Sequence, residues 1–180
     1  MPEGHYQMEF SIAPTPRLAA GVPFRTPIIV TFSAATITEV DNREDAETFS
    51  LSDLSGAWAM ISLTTADMQE NLAPPRTDLL RGNTADSIHP IDQEQVVDRP
   101  TIGYATFRGL VIAEPGQYRL KVNIIDMDSV FYDGSDPSAG VVLPSLYSQI
   151  FEVVEGDEHG VCESKVAETI TRLRSMGVDC

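Results

Sequence analysis

A catalytic or metal centre in this chain would have to draw on three histidines, two cysteines and one run of aspartates. His5, His89 and His159 are far apart, and none stands in an HxxE, HxxxH or CxxC spacing, so a zinc site lacks its usual ligand pairs. Cys162 follows His159 by three positions with nothing to orient the pair, which argues against a thiolate nucleophile. Asp126, Asp128, Asp133 and Asp136 approach the spacing of a calcium loop. The pattern fails where Val130 takes a ligand position and Phe131 takes that of the obligatory glycine, so a solvated loop around Gly134 and Pro137 is the plainer reading. No glycine-rich phosphate loop occurs, and Ser87, Ser145 and Ser148 lie in no nucleophile elbow. The sequence predicts neither an enzyme nor a bound metal or cofactor, and points to a binding module.

Charge narrows what could be bound. Twelve basic residues stand against 27 acidic ones, a net charge of −15, and the imbalance is shared by both halves of the chain. Such a field repels phosphate and anionic lipid, and suits either solubility or a basic partner. Clustered positive charge is scarce. Arg17 and Arg25 flank a short segment near the N-terminus, and Arg108, Arg119 and Lys121 fall close together in the most regular part of the sequence.

These side chains must be positioned by strands. Residues 7–13 alternate, with Met8, Phe10 and Ile12 expected on one face. Residues 27–33, 57–64, 101–112, 117–126 and 147–154 read as further strands, punctuated by Pro14, Pro16, Pro74-Pro75 and Glu114-Pro115-Gly116. The alternation in 101–112 and 117–126 predicts a hairpin in which Ile112 faces Gln117. Phe107, Gly109, Val111, Tyr118, Leu120 and Val122 would then face the core, and Arg108, Leu110, Ile112, Gln117, Arg119 and Lys121 the outside. This register sets Arg108 against Lys121 with Arg119 beside them, a basic patch either neutralised by nearby carboxylates or serving a small anion or an acidic partner.

Residues 163–176 predict a helix, with Val166, Ile170 and Leu173 on one stripe, Ser164 as N-cap, Gly177 as stop, and Arg172 and Arg174 favourably placed in the last turn. Residues 40–54 and 68–99 read as long polar loops. Many short strands and one late helix predict a mainly β chain, an immunoglobulin-like sandwich, as a single domain over 1–180 with its core in 6–178. Two cysteines make no disulfide framework, and no secretory signal, membrane-spanning run or lysine/arginine import cluster is present, so a reducing compartment is expected.

Residues 104–124, from Tyr104-Ala-Thr-Phe through Arg119-Leu-Lys-Val to Ile124, resemble a stretch of the fungal velvet family. Phe107, Leu110, Gly116, Arg119 and Leu120 match it identically, and Ile112, Tyr118, Lys121 and Val122 match in type. Other blocks follow in family order: Pro16-Arg17, Pro27-Ile28-Ile29-Val30, Ala59-Met60-Ile61-Ser62-Leu63, Leu80-Arg81-Gly82 with Ser87-Ile88-His89, Tyr147-Ser148 with Phe151-Glu152-Val153, and Glu163-Ser164 with Met176-Gly177-Val178. The resemblance implies a Rel-homology-like sandwich that acts in the nucleus as a dimer with itself or other velvet proteins, binds DNA, and governs development, sporulation and secondary metabolism.

Departures from the family bear on DNA. Its basic segment is reduced here to Leu18-Ala-Ala-Gly-Val-Pro-Phe-Arg25, leaving Arg17 and Arg25 as the residues that stand for it. The resemblance therefore implies weak DNA contact by this chain alone, with DNA binding and nuclear import supplied by a partner. The alternative is an acidic β-sandwich that docks on another protein and does not bind DNA.

Overall fold

A computed structural model describes residues 6–34, 56–91, 101–126, 145–156 and 163–179. The expected loop at 40–54 and the aspartates from Asp128 to Asp136, with His5, His159 and Cys162, lie outside these residues. The chain is mainly β. Strands β1 (Tyr6–Ile12), β3 (Ile28–Ala34), β9 (Thr101–Phe107) and β8 (His89–Pro90) form a four-stranded sheet in that order. A seven-stranded sheet runs β2 (Arg17–Ala19), β13 (Phe151–Val154), β11 (Gly116–Asp126), β4 (Ala57–Thr65), β5 (Asn71–Ala73), with β12 (Leu146–Tyr147) on β11 and β7 (Ala85–Ser87) on β4. Between them β6 (Leu80–Arg81) pairs with β10 (Val111–Ile112), and helix α1 spans Glu163–Ser175.

The two sheets face each other across one core. Ile28, Val30, Phe32, Ala105 and Phe107 of the small sheet meet Ala59, Ile61, Leu63, Leu120, Val122, Ile124, Phe151 and Val153 of the large one. The run Ile28-Ile29-Val30 does not alternate because β3 is covered on both sides: Ile28 and Val30 enter the central core, while Ile29 joins Ile12, Ile91, Tyr104, Leu173 and Val178 in a second cluster beneath the helix. Helix α1 ends in a Schellman turn. The N–H of Val178 donates to Leu173 O at 3.0 Å and that of Gly177 to Arg174 O at 3.0 Å, with Gly177 at φ 85°. Leu173 and Val178, the apolar pair that accompanies this turn, are both buried against the sheet.

Several expectations need correction. The hairpin does not form. β9 pairs with β3 and β8, whereas β11 pairs with β4, β12 and β13, so the two strands lie in opposite sheets. Both nonetheless offer an inward face to the same core, which is why Phe107, Tyr118, Leu120 and Val122 are buried as the alternation requires. Alternation reports which side is buried and is silent about which strand lies alongside. The break falls at Gly109, whose φ of 62° turns the chain out of β9. Gly82 approaches there so closely that a Cβ on it would stand 2.4 Å from Gly109 O. Beyond the break the phase is reversed, with Leu110 and Ile112 buried and Val111 half-buried.

On β1 the register shifts between Phe10 and Ile12, so Ile12 pairs with Ile29 beneath the helix while Met8 and Phe10 pack on the central core. Residues 147–154 form two strands because the pairing with β11 slips by one residue between Lys121↔Tyr147 and Tyr118↔Phe151. Within the expected loop 68–99, β5 to β8 are strands that pair with β4, β10 and β9. The helix begins at Glu163, which puts Ser164 inside its first turn and not at the cap.

Candidate interaction face

The outward side of the large sheet is built by the alternate positions of β4 and β11. Cross-strand partners there are Trp58 with Ile125, Met60 with Asn123, Ser62 with Lys121, and Thr64 with Arg119. Inward positions of the same strands fill the core; of the outward ones on β4, Ser62 and Thr64 are buried as well, and Trp58 and Met60 stand open. Trp58 and Met60 are 43% and 37% exposed. Ile125 beside them is half-buried. Met60 and Ile125 line a groove of about 140 Å³ together with Ile61, Ser62, Asn71, Pro74 and Asn123. The groove opens along β4 where β5, paired at Leu63 and Thr64, gives way to β7, paired at Trp58 to Met60.

The cations of this face lie at its other end. Arg119 Nε donates to Ala66 O at 2.8 Å and its Nη1 to Ser148 O at 2.8 Å, joining the turn after β4 to the break between β12 and β13. Ser148, itself buried, accepts the N–H of Leu120 on its hydroxyl at 2.9 Å and donates that hydroxyl to Gln149 O, so the break is closed by side-chain bonds. Lys121 places its ammonium 5.7 Å from the centre of the Tyr147 ring. Further along, Arg17 on β2 stands opposite Glu152 on β13, Nε to Oε2 3.5 Å, and Gln117 stands opposite Glu152 on β11.

The expected patch is therefore regrouped. Arg17, Arg119 and Lys121 share the outward face of one sheet. Arg108 does not join them, because β9 is not the neighbour of β11; it follows β9 in the small sheet and binds Asp179, donating from Nη2 to the carbonyl at 2.7 Å with the carboxylate at 3.6 Å. Arg25 is exposed in the segment between β2 and β3. Arg119 is half-buried and held by carbonyl oxygens, where a solvent-facing side chain was expected. The helix spends its apolar stripe on the small sheet.

Trp58 and Met60 were not among the expected site residues. The alternation of β4, Ala57-Trp58-Ala59-Met60-Ile61, carried the signal: once Ala59 and Ile61 are inside, Trp58 and Met60 must be outside.

No protein-family model matches the chain, and no characterised protein matches it. The assignment of function thus rests on geometry and on the sequence blocks above.

Two further clusters of titratable side chains join separate parts of the fold. Asp86 on β7 accepts the N–H of Thr106 on β9 at 2.9 Å and faces His89 Nε2 at 3.2 Å, while the His89 ring lies 5.1 Å from that of Tyr104. This carboxylate ties one sheet to the other. Arg76 forks onto Glu114 and also binds Asp78 at 3.0 Å. The guanidinium holds both carboxyls below their ordinary range, its hydrogen bonds being the main cause, and the Arg76 pKa is raised in turn. That cluster pins the turn before β11 to the segment after β5. Among the described residues no three of His, Cys, Asp and Glu come together as a metal site, and no helix is long and apolar enough to cross a membrane.

Proposed function

We propose that this chain is a velvet-type regulator that works by docking a partner protein on the open face of its large sheet, without catalysis, and that contact with DNA comes through the partner. The observation that carries the docking is the contiguous exposure of Trp58 and Met60 beside Ile125 and a groove. Specific interfaces are built around aromatic and aliphatic anchors that seat in pockets and lose water on contact. The velvet reading is supported by the ordered sequence blocks from residue 16 to residue 178 and agrees with a mainly β sandwich bearing one late helix. With it go a nuclear place of action, association with other velvet proteins, and control of development, sporulation and secondary metabolism in a fungus.

The charges favour leaving DNA to the partner. Phosphate contacts supply most non-specific affinity, each requiring a positioned Lys or Arg. Arg17 faces Glu152, Arg108 binds Asp179, and Arg119 is spent on two carbonyls. The same observation favours a second reading, an acidic sandwich that docks on a protein and has no part in DNA binding at all.

Sedimentation of the chain with each velvet protein of the same organism, comparing wild type with Trp58→Asp, tests the docking. Wild type should form a complex that the substitution abolishes, whereas Arg172→Gln, on the exposed side of the helix, should leave it intact. A complex that ignores Trp58→Asp sinks the proposal. Anisotropy titration of labelled DNA separates the two readings: the velvet reading expects binding only when the partner is present, and tight binding by the isolated chain at physiological salt contradicts both.

A further inference from the structure

The open face is polar in a directional way. Its apolar end carries Trp58, Met60 and Ile125, the groove lies next to Asn123, and one outward step along β11 brings Lys121, followed by Arg119. Two residues of a strand span about 7 Å. The neighbouring outward positions are Ser62, Thr64 and Tyr147, so the stretch from Trp58 to Arg119 places two cations and no carboxylate on these two strands, in a chain with 27 acidic residues. Lys121 sets its ammonium over the Tyr147 ring on this face.

We infer that the partner segment recognised here is acidic and apolar: it seats a ring-sized or branched side chain in the groove beside Asn123 and sets a carboxylate about 7 Å away on Lys121. A groove of about 140 Å³ compares with cavities of roughly 150 Å³ that accept benzene. The inference deepens the docking reading and rests on it. Charge complementarity chooses the occupant. A basic segment would meet Lys121 at contact distance, where local charge outweighs a net field screened over about 8 Å. A nucleic acid strand would find one of its two cations already bonded to Ala66 and Ser148, and an apolar groove where a phosphate should lie.

Trp58 is the single tryptophan of the chain, so its emission reports on this face alone. The full chain is titrated with a short synthetic peptide of alternating Asp and Phe or Leu residues, and with the same peptide carrying Lys for Asp. The acidic peptide should give a saturable blue shift, weakened by added salt. Lys121→Glu should weaken it by about tenfold and reverse the preference in favour of the lysine peptide. Met60→Asp, which charges the groove without touching the cations, should remove the response to both peptides.

Equal shifts from the two peptides, or an affinity that Lys121→Glu leaves unchanged, overturn this inference. So does tighter occupation of the face by a single-stranded oligonucleotide, or by a second copy of the chain, revealed as emission that changes with protein concentration alone. The docking reading is judged separately, by Trp58→Asp in the partner complex, which does not depend on the partner's charge.

Discussion

The outward face of the small sheet is covered by the chain itself: Ile12, Ile29, Ile91 and Tyr104 lie under Leu173 and Val178. The outward face of the large sheet leaves Trp58 and Met60 to solvent. Both faces are sides of the same sandwich, and both carry apolar residues at alternating positions. The difference is that one has a helix whose stripe matches it, anchored by a Schellman turn and by Asp179, whose N–H donates to the Tyr104 hydroxyl at 3.3 Å and whose carbonyl accepts from Arg108. An apolar side chain under a cover contributes to folding; the same kind of side chain without one contributes to association. Substitutions on the two faces should accordingly divide between stability and binding.

The largest effect is expected at the covered face. Leu173→Ala empties a fully buried position and should cost about 2–5 kcal/mol in urea unfolding. A loss below 1 kcal/mol would mean that the helix is an ornament to the small sheet and the comparison fails. Asp86→Ala comes next. It strips Thr106 N–H of its acceptor at the junction of the sheets and should cost about 1–3 kcal/mol, with Asp86→Asn recovering part of the loss through its remaining carbonyl oxygen.

Substitution on the open face should barely register in the same assay. Trp58→Ser combined with Met60→Ser is expected within about 0.5 kcal/mol of wild type, although under the proposed docking it should abolish partner binding. A destabilisation equal to that of Leu173→Ala would make the open face part of the fold. The smallest effect concerns Arg76, which lies on neither face. Glu114 and Asp78 have folded pKa values depressed by Arg76, so their contribution is present above their unfolded values and is lost as pH falls through the folded ones. The stability gap between wild type and Arg76→Ala should be widest near neutrality and close below the ordinary glutamate value of 4.5, as read from unfolding curves across an acid series.

How much of this was legible in the sequence follows from what periodicity encodes. The positions of the longer strands, the helix, its glycine stop and the inward set Phe107, Tyr118, Leu120 and Val122 depend on neighbours in sequence, and they were readable, whereas the short strands β5 to β8 lie in a stretch that read as loop. Pairing depends on neighbours in space. Residues 101–126 satisfy a hairpin and a change of sheet equally well until the φ of Gly109 and the approach of Gly82 decide between them. The basic patch failed for the same reason, since Arg108 was grouped with Lys121 through that pairing. Ile12 was misplaced by a bulge that adds one residue and inverts every later side chain on the strand. The open face was half legible: Arg119 and Lys121 were expected outside, and the alternation that puts Trp58 and Met60 beside them went unread.

The cover of the small sheet has a consequence for synthesis. Helix α1 touches β1, a strand made more than 150 residues earlier, and the sheet it protects includes β3 from the first fifth of the chain. A chain emerging from the ribosome therefore carries Ile12, Ile29, Ile91 and Tyr104 bare until Leu173 and Val178 have been made, some seconds after β9 at about 5–20 residues per second. During that interval the nascent sandwich presents two apolar faces where the finished one presents one, and chaperone engagement should concentrate on stalled chains that stop short of residue 173.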